Sequence, residues 1–374
     1  MKTLLSPLII GNNNLVSSLL FPSEPSKRPL PLIAPDICPQ WFSDRHSEVF
    51  GWLPPLGVHR LTNCLVIANG MVINEGGELV YSPDIVSPFW TKKLDRYSIE
   101  TIKTKEIISC DNDIIYVRLA NPGFKVYGHW LLDILPSLWL FKYFCSTQSF
   151  DMDFKFVLQE GTPGWAIDII SDYFGICRDM IIYFDEANQI LSIKNLIIPS
   201  YLRVSPAISP RFNDFVNDLL YVSLMNKATV TNNQTKFPKK FFILRGNGAI
   251  NRKTTLDNQD SLLEILKQFG IVPFYPESLS FSDQIALFSQ AELIIGEFGS
   301  ALHNAVFSPD STSVVVLANS FMNWTQSAIS ALRGQRLQYI KPETEQKVNS
   351  LQSYVYNIDD IRINIETVLT ARSS

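Results

Sequence analysis

The sequence is short of charge and of histidine, and it lacks every short motif that would announce a bound cofactor. Only 18% of its 374 residues are Asp, Glu, Lys or Arg, four are His, and the net charge is −4. That balance supplies no basic face for a phosphate backbone, so a nucleic-acid partner is not expected. A small anion needs no more than a local pair of arginines. The five cysteines (Cys38, Cys64, Cys110, Cys145, Cys177) are too scattered for C-x-x-C. No zinc site or thiol redox centre is therefore expected, and reduced core thiols are the plain reading. No apolar run reaches the roughly 18 residues of a membrane span. The opening MKTLLSPLIIGNNNLVSSLLF imitates a signal peptide, but Pro7 and Asn12 to Asn14 interrupt it and no small-residue cleavage site follows. The expectation is a mature N-terminus and a cytoplasmic protein, with peripheral contact at the inner membrane face left open. There is no G-x-G-x-x-G after a strand, no P-loop and no G-x-S-x-G.

What is there changes along the chain. Residues 22–40 are rich in proline, and up to about residue 120 the apolar runs are short, as in CLVIANGMVI, with a turn signal at Glu75-Gly76-Gly77. Strands joined by hairpins are expected there. GHWLLDILPSLWLFKYF (128–144) has helical apolar density with a kink or restart at Pro136, and a long helix is expected at 211–226. The polar stretch NKATVTNNQTK, with no apolar period, is the expected interdomain linker. Domains at 1–235 and 236–374 follow.

Beyond the linker, apolar strands alternate with amphipathic helices. KFFILRG, IVPFY, ELIIG and TSVVVLA read as strands. SLLEILKQFG reads as a helix with Ser261 and Glu264 at capping-box spacing, and SFSDQIALFSQ as another with Ser280 and Asp283 so spaced. Near-continuous Val, Ile and Leu in the strands imply a parallel sheet covered on both faces. The inferred class is α/β, with two Rossmann-like domains facing a central cleft. A final helix, 357–371, could pack back on the first domain.

Chemistry concentrates in three places. In LIIGEFGSALHNAVFSP (293–309) a strand ends at Gly296 and a helix is expected to begin near Ser300. That places backbone N–H groups and a positive helix end at the carboxyl edge of the sheet. Gly299 would admit a diphosphate close to the backbone at Ser300 and Ala301, although an ordinary β-to-α turn would look similar. Arg245, ending a strand, and Arg252, in the next loop, could neutralise that diphosphate. Glu277 could accept from a ribose diol. His129 and Asp133, spaced i, i+4, share a helix face and could provide a general base, with either residue in that role. The same pair also suits a histidine satisfied within an aromatic core. Asp111-Asn112-Asp113 and Asp151-Met152-Asp153 match a loose D-x-D metal pattern but do not end the later strands, so no metal site is assigned. His46 and His59 are expected to be structural.

Together these elements resemble glycosyltransferase family 61. The resemblance rests on Arg245, Arg252, Pro276-Glu277, the run Ser280 to Ile285, the loop from Gly296 through Gly299 to Asn304, and His129 with Asp133, over roughly residues 115–320. It implies a GT-B fold with a nucleotide-sugar donor on the C-terminal domain and a glycan or lipid-linked glycan acceptor mainly on the N-terminal one. It also implies inversion at the anomeric carbon without an obligatory metal or other cofactor. Bacterial members serve capsule or lipopolysaccharide assembly, and the lack of a membrane anchor favours that branch. Many members have histidine where this chain has Phe298. That departure admits a rival reading, a nucleotide- or glycan-binding protein that keeps the fold without the chemistry.

Overall fold

The computed structural model describes residues 15–25, 52–82, 84–86, 104–148, 153–204, 207–229, 237–245, 254–319, 325–348 and 351–370. The signal-like start up to residue 14, most of the proline-rich stretch, Cys38, His46, Asp151, Arg252 and linker residues 230–236 lie outside them. The described residues form two compact units, one running to Phe215 and the other beginning at Val216.

In the first unit, β1 (Leu15–Phe21), β2 (Leu56–Val66) and β3 (Val72–Asn74) are antiparallel neighbours. β4 (Glu106–Ser109) and β5 (Ile115–Arg118) precede helix α1 (Leu135–Gln148). Then come β6 (Phe154–Gln159), α2 (Gly164–Phe174), β7 (Ile181–Phe184) and β8 (Gln189–Pro199). The sheet order is β1-β2-β8-β5-β6-β7, and β8, β5, β6 and β7 are mutually parallel. β5–α1–β6–α2–β7 thus winds outward in one direction, and β8 returns to the other side of β5. The strand direction reverses its progress between β5 and β8. In open α/β sheets such a switch point leaves a crevice beyond the strand carboxyl ends.

The helix after β5 changes type just before Pro136, where a kink or restart was expected. A turn at Tyr127–His129 passes into a π-helical segment, Trp130–Ile134, which continues into α1. Proline has no N–H to donate and its ring crowds the carbonyl four residues back, and a widened turn at that point relieves both problems.

Helix α3 (Phe212–Thr229) carries the chain from one unit into the other. The second unit contains β9 (Lys240–Ile243), β10 (Thr254–Leu256), α4 (Gln259–Gln268), β11 (Val272–Phe274), α5 (Phe281–Ser289), β12 (Leu293–Glu297) and β13 (Ser313–Leu317). It closes with α6 (Thr325–Arg333), β14 (Arg336–Ile340), β15 (Thr344–Val348), β16 (Leu351–Val355) and α7 (Ile358–Thr370). Its main sheet, β11-β9-β12-β13-β14, is wholly parallel. The expected apolar strands are there, and every residue of β12 and β13 is buried. This order also has a switch point, between β9 and β12.

One local expectation is corrected. α4 starts at Gln259 rather than Ser261, and no side chain caps it. The other expected cap is made, at α5, where Ser280 Oγ accepts from Asp283 N at 3.1 Å. Helix α7 contributes its apolar face to the second unit. Ile361 and Ile365, one turn apart, fill the second unit's own core with Leu262, Leu266 and Ile340. Among the described residues no helix is long and apolar enough to cross a membrane.

Candidate active site

The switch point of the first unit is lined from five segments, two of them at Asn69–Gly70 and Val86. Arg118 ends β5, Asn121 follows it, His129 closes the turn before the π-helical segment and Asp133 lies within it, and Tyr201 and Arg203 follow β8. Arg203 is held by a two-residue ladder, Arg203–Val204 with Ala207–Ile208.

Asp133 is the hub. His129 Nδ1 lies 2.7 Å from Asp133 Oδ2. Arg203 donates from Nε to Oδ1 at 2.8 Å and from Nη2 to Oδ2 at 2.7 Å, a bidentate fork. Burial pushes the Asp133 carboxyl up, but the Arg203 charge and the His129 and Arg203 hydrogen bonds outweigh it and bring the pKa to about 2. An ionised carboxylate can only accept, so Nδ1 of His129 carries a proton, and whenever the ring holds only that one its Nε2 presents a lone pair. Asp133 has both oxygens engaged, whereas the His129 side chain keeps 34% of its surface exposed. Of the two residues, His129 is the one placed to take a proton.

The seat of His129 is also built. Asn121 Oδ1 accepts from Gly123 N at 2.8 Å, and Trp130 Nε1 donates to Phe124 O at 2.6 Å, which fixes the Asn121–Phe124 loop against the imidazole. A Cβ on Gly123 would stand 2.6 Å from His129 Cβ and closer still to its ring. His59, expected to be structural, is buried in a network beside this site. Its Nδ1 contacts Ser17 Oγ at 2.8 Å and its Nε2 contacts Asp84 Oδ2 at 2.8 Å, while Ser200 Oγ donates to the same carboxylate at 2.6 Å.

In the second unit the switch point holds most of the other predicted residues. Arg245, just past β9, donates from Nη1 to Thr254 Oγ1 at 3.1 Å and from Nη2 to Phe298 O. Thr254 Oγ1 in turn donates to the buried Glu297 Oε2 at 3.2 Å. A Cβ on Gly299 would stand 2.9 Å from Arg245 Cζ, so the glycine is required first by the guanidinium that crosses it. Gly296 lies in β12 against Ile243 of β9. Ser300 and Ala301 open a 3-10 helix, Ser300–Phe307, which has no side-chain cap. A helix beginning near Ser300 was expected there. Asn304 is fully buried and donates to Gln284 Oε1 at 2.9 Å, joining that helix to α5. Glu277 is exposed in the turn after β11. Phe298 is buried with its ring edge-on to His303. Asp111-Asn112-Asp113 sits before β5, away from Arg118, with Asp111 Oδ1 accepting from Asp113 N in a local turn. Among the described residues no cluster of three or more His, Cys, Asp and Glu could hold a metal ion.

The sequence reading missed Arg118, Asn121, Tyr201 and Arg203. Their common signal is position, since each lies at or just after the end of an apolar strand (IIYVR-LAN, NLIIPS-YLR).

Residues 127–315, just over half of the chain and including His129, Asp133, Arg203, Arg245 and Gly299, match the family described as Glycosyltransferase 61. The chain belongs to glycosyltransferase family 61. No curated protein matches the sequence. The crystal structure of the dodecameric iron-containing heptosyltransferase TibC in complex with ADP-D-β-D-heptose overlaps 98% of this chain and 97% of its own, at 10% identity and a TM-score of 0.27. At that score the overlap bears on neither fold nor ligand.

For this family-61 chain the Gly123 seat is directly testable. Gly123→Ala should destabilise by about 1–3 kcal/mol through overpacking and lower turnover about 10²-fold by displacing His129. Shifted ring resonances for His129 with reduced turnover are expected. Wild-type turnover together with unchanged resonances would remove the loop from the mechanism.

Proposed function

We propose that this protein is an inverting glycosyltransferase that moves a sugar from a nucleotide-sugar donor to a glycan acceptor in surface polysaccharide assembly, capsule or lipopolysaccharide. The two units act as the halves of a GT-B enzyme, with the acceptor taken up by the first and the donor by the second. The observation that carries this reading is His129, oriented through Nδ1 by an Asp133 that Arg203 holds ionised. His129 Nε2 removes the proton of the acceptor hydroxyl. The acceptor oxygen then bonds to the anomeric carbon from the face opposite the leaving group, and the bond from that carbon to the diphosphate oxygen breaks, its electron pair leaving with the nucleoside diphosphate.

Arg245, Arg252 and the backbone N–H groups at 299–301 stabilise that departing charge, the largest contribution expected in such a site. Glu277 binds the ribose or the sugar. With cations on the chain serving the diphosphate, no divalent ion is obligatory. The protein is proposed to work in the cytoplasm, with or without peripheral contact at the inner membrane face.

The test is thermal unfolding against a panel of nucleoside diphosphates and nucleotide sugars, with and without magnesium. A ligand at a hundred times its Kd should stabilise by roughly 2.7 kcal/mol. The expected result is a shift from one nucleotide class, indifferent to magnesium and lost in Arg245→Ala. A shift that survives Arg245→Ala would move the donor site elsewhere, and no shift from any donor would favour the non-catalytic binder.

A further inference from the structure

Arg118 is 4% exposed at the bottom of the first unit's pocket. Its Nη2 donates to Ile85 O at 2.8 Å and its Nη1 reaches Gly70 O at a long 3.4 Å. Its Nε is buried with no acceptor, and its guanidinium carbon lies 5.4 Å from the centroid of the Tyr201 ring. Among the described residues no carboxylate pairs with it. The neighbouring acids are already committed. Asp133 is neutralised by Arg203. Asp84 is bound by Ser82, Ser200 and His59. Glu186 accepts from Asn69 N and Gln159 Nε2.

A guanidinium stays charged, and buried charges in proteins are paired or hold something charged. The lining therefore carries two arginine charges against one carboxylate, an excess of one positive charge when His129 is neutral. Tyr201 adds a donor, because its oxygen accepts from Asn121 Nδ2 at 2.9 Å and its own proton has no acceptor among the described residues. Arg118 and Tyr201 line the same pocket as His129.

We propose that the acceptor carries an oxyanion, a carboxylate or a phosphate, which Arg118 and Tyr201 bind beside the hydroxyl that His129 deprotonates. This rests on the glycosyl-transfer reading only for the word acceptor. The oxyanion can come from an acidic sugar or from the phosphate that links a glycan to a carrier lipid.

Calorimetric titration of the full chain separates these. The probes are methyl β-D-glucuronide, its neutral counterpart methyl β-D-glucoside, and N-acetylglucosamine linked through diphosphate to farnesol. At least one anionic probe should bind about 10- to 100-fold more tightly than the glucoside and lose that advantage in Arg118→Gln. A response to glucuronide alone assigns the sugar carboxylate, and a response to the diphosphate alone assigns the lipid link. Equal binding of all three probes, or an advantage kept in Arg118→Gln, overturns the proposal. Should that variant not fold, wild-type protein decides. Raising NaCl from about 50 to about 500 mM must weaken the anion and spare the glucoside, and salt-independent binding overturns it. Arg245→Ala must leave the anion affinity in place, since its loss there would put the anion in the second unit. An anion response with no nucleotide response sinks the transferase reading and keeps this site. The reverse sinks this site alone.

Discussion

His129→Ala is expected to lower turnover by about 10²- to 10⁴-fold while the thermal shift given by nucleotide is unchanged. The separation follows from where the residue sits. His129 lies at the switch point of the first unit and Arg245 at that of the second, so removing the imidazole touches no group proposed to hold the donor. Its partly exposed side chain makes little of the core, and truncation should cost little stability. Asp133→Asn should give a similar loss for a different reason. An amide can donate to Nδ1, which moves the ring proton to Nε2 and leaves no lone pair facing the acceptor, the wrong-tautomer effect known from Ser-His-Asp hydrolases. Turnover is read from nucleoside diphosphate release and donor binding from the thermal shift. Near-wild-type turnover in both variants would remove the pair from the mechanism.

Arg203→Ala should cost about 3–5 kcal/mol of stability, because it leaves a buried carboxylate without its bidentate partner. Arg203 and Asp133 keep only 13% and 8% of their side-chain surface. The same pair sets an acid limit. The Asp133 pKa falls from 3.8 to about 2 on folding. A depressed acid stabilises the fold above its unfolded value and loses that contribution as pH falls through the folded one. About 2 kcal/mol should therefore be present above pH 4 and disappear between about pH 4 and pH 2. In Arg203→Ala the carboxyl moves back up, so this acid loss should shrink or reverse and the stability gap to wild type should narrow as pH falls. Urea unfolding at pH 7, 4 and 3 checks both statements. A variant as stable as wild type at pH 7 would mean that Asp133 finds another partner.

Several elements were legible because their signals are local. The parallel sheet of the second unit follows from apolar strands such as ELIIG set between helices with one apolar face. The His129–Asp133 contact follows from four-residue spacing on a helical turn, and it survives the π-helical widening at 2.7 Å. Arg245 near Gly299 follows from two strand ends at one edge, although the reason for the glycine differs from the one expected. Other features were misread because they depend on competition between neighbours. The type of change at Pro136 was not foreseen, since the expected kink or restart takes the form of a π-helical turn that gives way to α1 at Leu135. Ser261 was expected to cap a helix that instead begins two residues earlier. The short helix expected near Ser300 is there, as a 3-10 helix, and Asn304 within it donates to Gln284.

What the sequence determined by itself was the class of the fold, the family and the two residues of the dyad, since each rests on spacings within a few residues or on strand ends read one at a time. What only the tertiary structure decided was the company the dyad keeps. Arg203 stands 70 residues from Asp133 in the chain. It reaches the carboxylate because β8 pairs beside β5, where Arg118 also ends, and not beside β7, which precedes it. Periodicity tells which face of a strand is buried but carries no information about which strand lies next to it. That choice comes from burying the whole sheet at once, and it leaves Arg118 and Arg203 in one pocket with His129.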